Sequence, residues 1–234
     1  MILSAPVYAL KRRARLLARR ESIPLSAALD RIAREEGFVR WSLLAARLAD
    51  TAPAPRLLER LRPGDLVLLA ARPGQGKTLL GLDLLLAAAR CGRQAMLFTL
   101  EDSEATVRER LDGLGVAAET RLVIDASDTI SAAHIEARLA GAAPGTVAVV
   151  DYLQLLDKRR KNPDLESQVA TLRAFTARSG AILVLLSQVD RRFDPVRKPL
   201  PDLADIRLPN RVDFCHFTGA CFMNAGRIRF DRAA

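Results

Sequence analysis

The sequence lacks any apolar run of about 18 residues, the length at which a helix can span a membrane, although half of its 234 residues are hydrophobic. Arg72, Pro73 and Asp83 interrupt the best candidates. A secretory signal is also missing, because MILSAPVYALKRRARLLARR places its apolar residues before its charges, the reverse of the usual order. A transit peptide is the weaker alternative, since the segment is poor in serine. We therefore expect a cytoplasmic protein without membrane contacts.

Cysteine is scarce as well, with Cys91, Cys215 and Cys221 as the complete set. Three thiols cannot all pair, and their spacing fits no zinc site: CHFTGAC brings one histidine between two cysteines but has no second half. We expect buried free thiols in a reducing compartment and no structural metal.

Lysine is rare beside arginine, at 5 residues against 31, and the net charge is +9. Residues 1–62 contain 13 Lys and Arg against 6 Asp and Glu, so most of the positive surplus lies in this first part of the chain. Such a concentration is typical of a surface that meets a polyanion, most often nucleic acid. A solvated surface in an arginine-rich protein explains the charge equally well.

A proline-rich segment, 51–65, separates two kinds of sequence. Apolar residues before it recur at helical spacing. Beyond it, continuous apolar runs of strand length alternate with helical stretches, a pattern that predicts a mainly parallel sheet flanked by helices in an α/β fold. The runs lie at 66–70, 95–100, 121–125, 146–150 and 181–187. We predict a basic helical segment at 1–50, a linker at 51–62 and the α/β domain at 63–234.

The basic segment contains LDRIAREEGFVRWSLLAARL, whose spacing is compatible with a helix-turn-helix. DNA contact by its second helix would then fall to Arg40, Trp41 and Arg47. A helical hairpin that docks on a neighbouring subunit, with Trp41 as a core residue, is at least as well supported.

ARPGQGKT, between a predicted strand and a helix that starts near Leu79, predicts a phosphate-binding loop. The usual pattern has glycine where this chain has Ala71. Gly74 and Gly76 permit close backbone approach, Lys77 supplies a cation for the β- and γ-phosphates, and Thr78 offers a hydroxyl to Mg²⁺. The loop predicts ATP and Mg²⁺ as ligands, bound by Arg72, Pro73, Gly74, Gln75, Gly76, Lys77, Thr78 and Leu79.

Polar residues follow three other predicted strands. TVAVVDYLQLL delivers Asp151 to the edge of the sheet, where its carboxylate can hold Mg²⁺. MLFTLED ends in Glu101 and Asp102, and a carboxylate there could activate water, although Asp102 or Ser103 could instead cap the next helix. ILVLLSQVDRR ends its strand at Gln188, whose amide could bond a γ-phosphate.

These four segments together resemble the ordered motifs of the DnaB-type replicative helicases, within the RecA-like P-loop ATPases. That family commonly has alanine at the first position of the loop. The resemblance covers about residues 57–208, and DYLQLL followed by SQVDR is its most specific part. It implies that Lys77 and Thr78 bind phosphate and Mg²⁺, that Glu101 is the catalytic base, that Asp151 is the Mg²⁺-associated acid, and that Gln188 senses the γ-phosphate.

The same resemblance implies that the loops after the Asp151 and Gln188 strands face single-stranded DNA in a central channel of a homo-oligomer, for which a hexamer is one option. Basic residues in both loops could follow a phosphate backbone, although two acids dilute the second cluster. These residues are Lys158, Arg159, Arg160 and Lys161 in the first loop and Arg191, Arg192, Arg197 and Lys198 in the second.

Two departures bear on function. The chain lacks the large N-terminal helical domain of the resembled family and its lysine-x-arginine segment, which supplies an arginine finger; Arg227 and Arg229 in FMNAGRIRF are the nearest replacements. We expect a DnaB-like ATPase that couples ATP hydrolysis to DNA binding, translocation or unwinding. The alternatives are an ATP-gated DNA-binding or loading switch without helicase activity and, less well supported, a small-molecule kinase, which would have to exclude water.

Overall fold

The computed structural model of the protein describes residues 4–5, 7–45, 53–113, 122–156, 162–206, 210 and 212–233. They form two compact units, a smaller one mainly from residues before 53 and a larger one from the rest. Within these described ranges, no helix is long and apolar enough to cross a membrane.

The smaller unit contains two helices, α1 (Val7–Glu21) and α2 (Leu25–Glu35), followed by a helical stretch at 41–45. Its core is made by Leu10, Ala14, Ala28 and Ile32, with Trp41 packed against them. The two helices lie where the sequence has apolar residues at helical spacing. Because Trp41 contributes to this core, the hairpin with a structural tryptophan fits better than one in which Trp41 stacks on a base.

The larger unit is a sheet of seven strands in the order β3-β2-β4-β5-β1-β6-β7, with helices around it. All neighbouring pairs are parallel except β6 and β7. The strands are β1 (Leu66–Ala71), β2 (Ala95–Thr99), β3 (Leu122–Asp125), β4 (Val147–Asp151), β5 (Ile182–Gln188), β6 (Gly219–Asn224) and β7 (Arg227–Arg232). The helices are α3 (Pro53–Arg60), α4 (Lys77–Arg90), α5 (Glu104–Gly113), α6 (Ala132–Arg138) and α7 (Leu165–Ser179).

Both faces of this sheet are covered. Leu68, Val150 and Leu185 face one core cluster together with α6 and α7. The alternating residues Val149 and Leu186 face Gly81 of α4 on the opposite side. The predicted α/β class with a mainly parallel, helix-covered sheet is confirmed, and the five predicted strands lie within two residues of their expected positions at each end that the structure describes.

The segment assigned to a linker differs from expectation, because its residues 53–60 form helix α3. Ala54, Leu57 and Leu58 are buried, and α3 packs against α4. Proline is compatible with this position, since the first turn of a helix leaves its N–H groups unbonded in any case. Two of the three prolines that suggested a linker, Pro53 and Pro55, therefore lie in a helix start, and Pro63 follows the helix.

The thiols also differ in part from expectation. Cys221 is buried on β6, and burial raises its pKa to about 12, so it stays protonated and inert at neutral pH. Cys91 and Cys215, by contrast, are exposed. Cys91 directly follows helix α4, and Cys215 lies in the connection before β6. Such connections lie at the surface.

An ion pair between a buried carboxylate and a partly exposed arginine ties the start of β1 to the last strand. Arg232 donates from Nη1 and Nη2 to the two Asp65 carboxylate oxygens at 3.0 and 2.9 Å, and its Nη2 also donates to the Arg60 carbonyl at 2.7 Å. Burial acts to raise the pKa of Asp65, but the bonds from Arg232 and the Arg62 N–H outweigh it, and the pKa is lowered. The carboxylate is therefore held in its charged form.

Candidate nucleotide site

The phosphate-binding loop lies between β1, whose six residues are all buried, and the first turn of α4. Gly74 and Gly76 have φ of 76° and 86°, in the left-handed region where residues with a Cβ are strained. Gly76 caps α4, and its carbonyl accepts from the Leu80 N–H at 2.9 Å. The glycines thus turn the chain so that the positive end of α4 lies at the carboxyl edge of the sheet.

Helix α4 approaches the sheet closely at Gly81. A Cβ built there would meet Val149 Cγ1 at 3.1 Å and Leu186 Cδ1 at 3.4 Å. Val149 and Leu186 lie on β4 and β5, the strands that carry Asp151 and Gln188 at their ends. The glycine therefore sets the distance between the loop and the polar residues that follow these strands.

The structure brings together the loop and the end of β4. Thr78 donates from Oγ1 to Asp151 Oδ2 at 2.7 Å, and Lys77 Nζ lies 3.5 Å from Asp151 Oδ1. Asp151 is 1% exposed and Lys77 8% exposed. Their charges are thus close together and largely shielded from water, which strengthens their interaction.

Asp151 Oδ1 is buried and has no hydrogen-bond partner in the described part of the chain. Thr78 gives its proton to Oδ2, so the lone pairs of its own oxygen stay available to a cation. A carboxylate oxygen beside a hydroxyl oxygen is the donor chemistry that Mg²⁺ prefers. Thr78 and Asp151 therefore fit the predicted metal.

Tyr152, which the sequence patterns did not select, also borders this pair. Lys77 Nζ lies 5.2 Å from the centre of its ring, within the range of a cation–π contact. Burial, followed by the nearby charges of Glu101 and Asp151, raises the pKa of Tyr152, so the ring stays neutral. The neutral ring of Tyr152 contacts Lys77 without adding a second negative charge beside Asp151. The position of Tyr152 directly after Asp151 was the sequence feature that could have drawn attention to it.

The polar residues that follow β2 have different partners in the structure. Thr99 Oγ1 accepts from the Glu101 and Asp102 N–H groups at 3.3 and 3.0 Å. Asp102 is paired with Arg110, and Ser103 Oγ accepts from the Thr106 N–H at 3.2 Å as a helix cap. Glu101, in contrast, is exposed at the carboxyl end of β2, next to the strand that ends in Asp151.

Gln188 is the last residue of β5 and lies opposite Ala71, where β1 ends and the loop begins. It is partly buried. The sheet order places β2, β4, β5 and β1 side by side, so the ends that carry Glu101, Asp151, Gln188 and the loop share one edge. Parallel pairing produces this convergence from segments far apart in sequence.

The second basic loop is described, while Lys158, Arg159, Arg160 and Lys161 lie outside the described residues. Arg191 and Arg192 are exposed just after β5. Lys198, however, bonds Asp202 at 2.8 Å and lies 2.6 Å from Asp205, which raises its pKa. Arg197 lies 3.6 Å from Asp194. Lys198 thus cross-links its own loop, and much of its charge is neutralised there.

The turn between β6 and β7 contacts both the phosphate-binding loop and this basic loop. The Ala225 N–H donates to Gln75 Oε1 at 2.8 Å, and Asn224 Nδ2 donates to the Pro199 carbonyl at 3.0 Å. Nearby, Arg227 and Arg229 are both exposed on β7. Arg229 donates to Asp231 at 2.7 Å, and its guanidinium lies 5.6 Å from the centre of the Phe222 ring. Arg229 is therefore already engaged within its own hairpin.

A parallel, helix-covered sheet with a glycine-rich loop after β1 and a buried acid after β4 defines a P-loop nucleotide-binding protein. A family model described as an AAA domain matches residues 32–194, well over half of the chain. The chain belongs to this family, and it contains an ATPase domain of the DnaB type with the RecA-like fold.

Individual relatives agree with this assignment. The chain is 27% identical over 191 residues to a protein named replicative DNA helicase DnaB from Leifsonia xyli subsp. xyli (strain CTCB07), covering 67% of this chain and 42% of that protein. The chain thus spans less than half the length of this relative.

Solved structures share the fold. A DnaB-like replicative helicase, described with its interactions with primase, aligns with a TM-score of 0.61 at 17% identity, covering 92% of this chain and 66% of that one. A structure described as an ATPase domain aligns with a TM-score of 0.60 at 17% identity, covering 76% of this chain and 80% of that one. A KaiC-like protein from the hyperthermophilic Pyrococcus horikoshii OT3 aligns with a TM-score of 0.52 at 16% identity, covering 72% and 77%.

Proposed function

We propose that the chain binds ATP with Mg²⁺, hydrolyses it, and couples this cycle to single-stranded DNA. The observation that carries the proposal is the buried contact of Thr78 and Lys77 with Asp151, in a domain of the DnaB type. The loop residues Arg72 to Leu79 surround the phosphates, and Lys77 faces the β- and γ-phosphates. Thr78 and Asp151 would hold Mg²⁺, which would neutralise charge on the phosphate oxygens.

Hydrolysis requires a base for the attacking water, and Glu101 is the exposed carboxylate at the end of β2. Glu101 takes a proton as the water oxygen bonds the γ-phosphorus, and the bond between that phosphorus and the ADP oxygen breaks. Gln188 donates an amide N–H to the γ-phosphate and loses this partner when phosphate leaves. The products are ADP and phosphate, and Glu101 then releases its proton to solvent.

The DNA part of the proposal rests on the loop that follows Gln188. Arg191 and Arg192 are exposed there, and the basic run 158–161, which lies outside the described residues, follows the neighbouring strand β4 in sequence. Arginines on loops at one sheet edge can follow a phosphate backbone. Gln188 couples this loop to the nucleotide, because it is the last residue of β5 and the loop starts directly after it.

An ATP-gated switch that hydrolyses slowly and unwinds nothing is the second candidate. It is favoured by the engagement of Arg229 with Asp231 and Phe222, since this arginine was one of two replacements for an arginine finger. Without a positive group from a neighbour, charge that develops on the γ-phosphate is poorly stabilised. Directional strand displacement in a helicase assay distinguishes a motor from this switch.

The nucleotide site is tested with Glu101→Gln and Lys77→Ala, measuring ATP affinity and turnover with and without single-stranded DNA. Glu101→Gln should bind ATP but lose about 100-fold or more in turnover, because a base is missing. Lys77→Ala should lose high-affinity ATP binding as well. Glu104→Gln is the matched control, since Glu104 is an exposed acid paired only locally with Arg108.

Wild-type turnover in Glu101→Gln would refute the assignment of the base. ATPase activity that single-stranded DNA fails to stimulate, together with no DNA binding at low salt, would refute the DNA part of the proposal while leaving the nucleotide site intact. The two parts are therefore tested separately.

A further inference from the structure

Two consecutive residues, Asn224 at the end of β6 and Ala225 in the β6–β7 turn, bond two different loops. Ala225 binds the side chain of Gln75 in the phosphate-binding loop, and Asn224 binds the Pro199 carbonyl in the loop after β5. Gln75 Oε1 accepts a backbone N–H, and Asn224 Nδ2 donates to a backbone carbonyl, so each bond joins a side chain to main chain. One short segment therefore links the ATP loop to the loop proposed to contact DNA.

This segment is stiff. Ala225 and Gly226 have φ of 47° and 77°, the positive values of a tight two-residue hairpin turn. Asn224 is 7% exposed and belongs to β6, which pairs with β1 along most of its length. Such a turn has little freedom to bend, so a displacement of Gln75 would move Asn224 with it.

The loop after β5, which contains Pro199, is cross-linked from its start to its end. Lys198, next to Pro199, bonds Asp202 and lies against Asp205. The Asp190 N–H donates to the Asp205 carbonyl at 2.8 Å, and Val189 forms a bridge with Ile206. These contacts join the start of the loop, beside Arg191, to its end.

We propose that Gln75 and Asn224 are positioning residues through which the occupancy of the ATP loop sets the position of the DNA loop, residues 190–206. This inference rests on the proposed function, and it adds a route separate from Gln188. Gln75 lies between the two loop glycines, so the chain that wraps the phosphates is the chain that carries its side chain. The coupling is reciprocal: whatever factor nucleotide applies to DNA affinity, DNA applies to nucleotide affinity.

The measured quantity is the coupling ratio, the Kd for a fluorescent single-stranded oligonucleotide without nucleotide divided by its Kd at saturating non-hydrolysable ATP analogue. Saturation is established for each variant separately. Wild type should show a ratio of about 5 to 150, the usual range of allosteric coupling. Asn224→Ala removes the bond to Pro199 and should lower the ratio by about threefold or more, leaving the part that Gln188 transmits. The Kd for DNA in the absence of nucleotide should stay within about twofold of wild type.

Substitutions at Gln75 separate coupling from packing. Gln75→Met keeps the length of the side chain without its acceptor and should lower the coupling ratio. Gln75→Glu keeps an oxygen that can accept from the Ala225 N–H and should have a coupling ratio close to that of wild type. Combining Gln75→Met with Asn224→Ala should lower the ratio no further than either change alone, because both break one route.

A wild-type ratio in both single variants, with their thermal midpoints unchanged, overturns the inference and leaves the proposed function standing. A wild-type protein that binds ATP and DNA with a ratio of 1 overturns the inference together with the coupling part of the proposed function, while the nucleotide site stands. A wild-type protein that binds no DNA overturns the DNA part of the proposed function and this inference with it.

Discussion

At the scale of single residues, the Asp65–Arg232 pair shows how a partner decides the ionisation of a buried carboxylate. Asp65 is 4% exposed, and burial alone would favour its neutral form. The Arg232 guanidinium and the Arg62 N–H reverse that preference and lower the pKa. Since a lowered pKa favours the folded state wherever the carboxylate is ionised, this pair links stability to pH.

Arg232→Ala should reduce the free energy of unfolding at pH 7 by about 2–3 kcal/mol, because it leaves a buried carboxylate without its cation. The folded pKa of Asp65 lies below the unfolded value of about 4, so this stabilisation is present above pH 4 and is lost as pH falls through the folded pKa. Urea unfolding at pH 7 and pH 3 measures the difference.

Arg178→Ala is the matched control, since Arg178 forms an exposed pair with Glu136 and should change stability by less than about 1 kcal/mol at either pH. An equal loss for Arg232→Ala at pH 7 and pH 3 would show that packing of the arginine, rather than its charge, stabilises the strand.

At the scale of elements, the strands with continuous apolar sequence could be predicted and β6 could not. GACFMN is a short run that begins with glycine, and its place beside β1 depends on pairing with residues about 150 positions earlier. Helix α3 was missed for a different reason, because prolines in a first helical turn look the same in sequence as prolines in a linker.

The candidate site divides in the same way. The loop, Asp151, Glu101 and Gln188 could be selected because each lies in a contiguous motif at the end of a strand. The contact of Tyr152 with Lys77 and the bond from Ala225 to Gln75 could not be predicted, because they arise from tertiary contacts between distant segments. The pairing of Lys198 with Asp202 is local, four residues apart, and was missed. The exposure of Arg191 and Arg192 agrees with their selection, but their role stays a prediction.

Helix α4 supplies a prediction at this scale. Gly81→Val should destabilise the domain by about 1–3 kcal/mol, because its added atoms would overlap Val149 and Leu186 and push the helix from the sheet. ATP affinity should fall too, since the loop begins this helix. Thermal unfolding and nucleotide titration measure both effects.

Ala89→Val, a small-to-large change at a partly buried position of α4, is the control and should leave both quantities close to wild type. If Gly81→Val unfolds at the wild-type temperature, the helix has room to move, and the close approach at Gly81 does not set the site.

At the scale of the whole molecule, the sequence lacks the lysine-x-arginine segment that supplies an arginine finger in the resembled family. A neighbouring subunit could supply the positive group at the γ-phosphate instead. Arg227 and Arg229 are both exposed on the terminal hairpin, and Arg229 also pairs with Asp231. We expect weak intrinsic turnover that rises with protein concentration or DNA, as subunits complete each other's sites. Sedimentation with and without ATP and single-stranded DNA would report the assembly directly.

Mixing Lys77→Ala with an Arg227→Ala/Arg229→Ala variant tests this expectation. Each should be inactive alone, whereas a mixed assembly can pair an intact loop from one subunit with an intact arginine from the other. Turnover that is independent of concentration and shows no rescue on mixing would indicate a self-contained site, and would favour the switch over the motor.

The strand order also has a consequence for how the protein is made. Strand β1 lies between β5 and β6, and both are encoded long after it. During synthesis its six apolar residues therefore leave the ribosome before those of either neighbouring strand. Until the neighbours follow, both edges of β1 are unpaired, a state that favours aggregation or chaperone binding. The nucleotide loop, which follows β1, is thus the first part of the site to be translated. It is also the last part to be held in place, because β1 gains its second neighbouring strand only when residues 219–224 have left the ribosome.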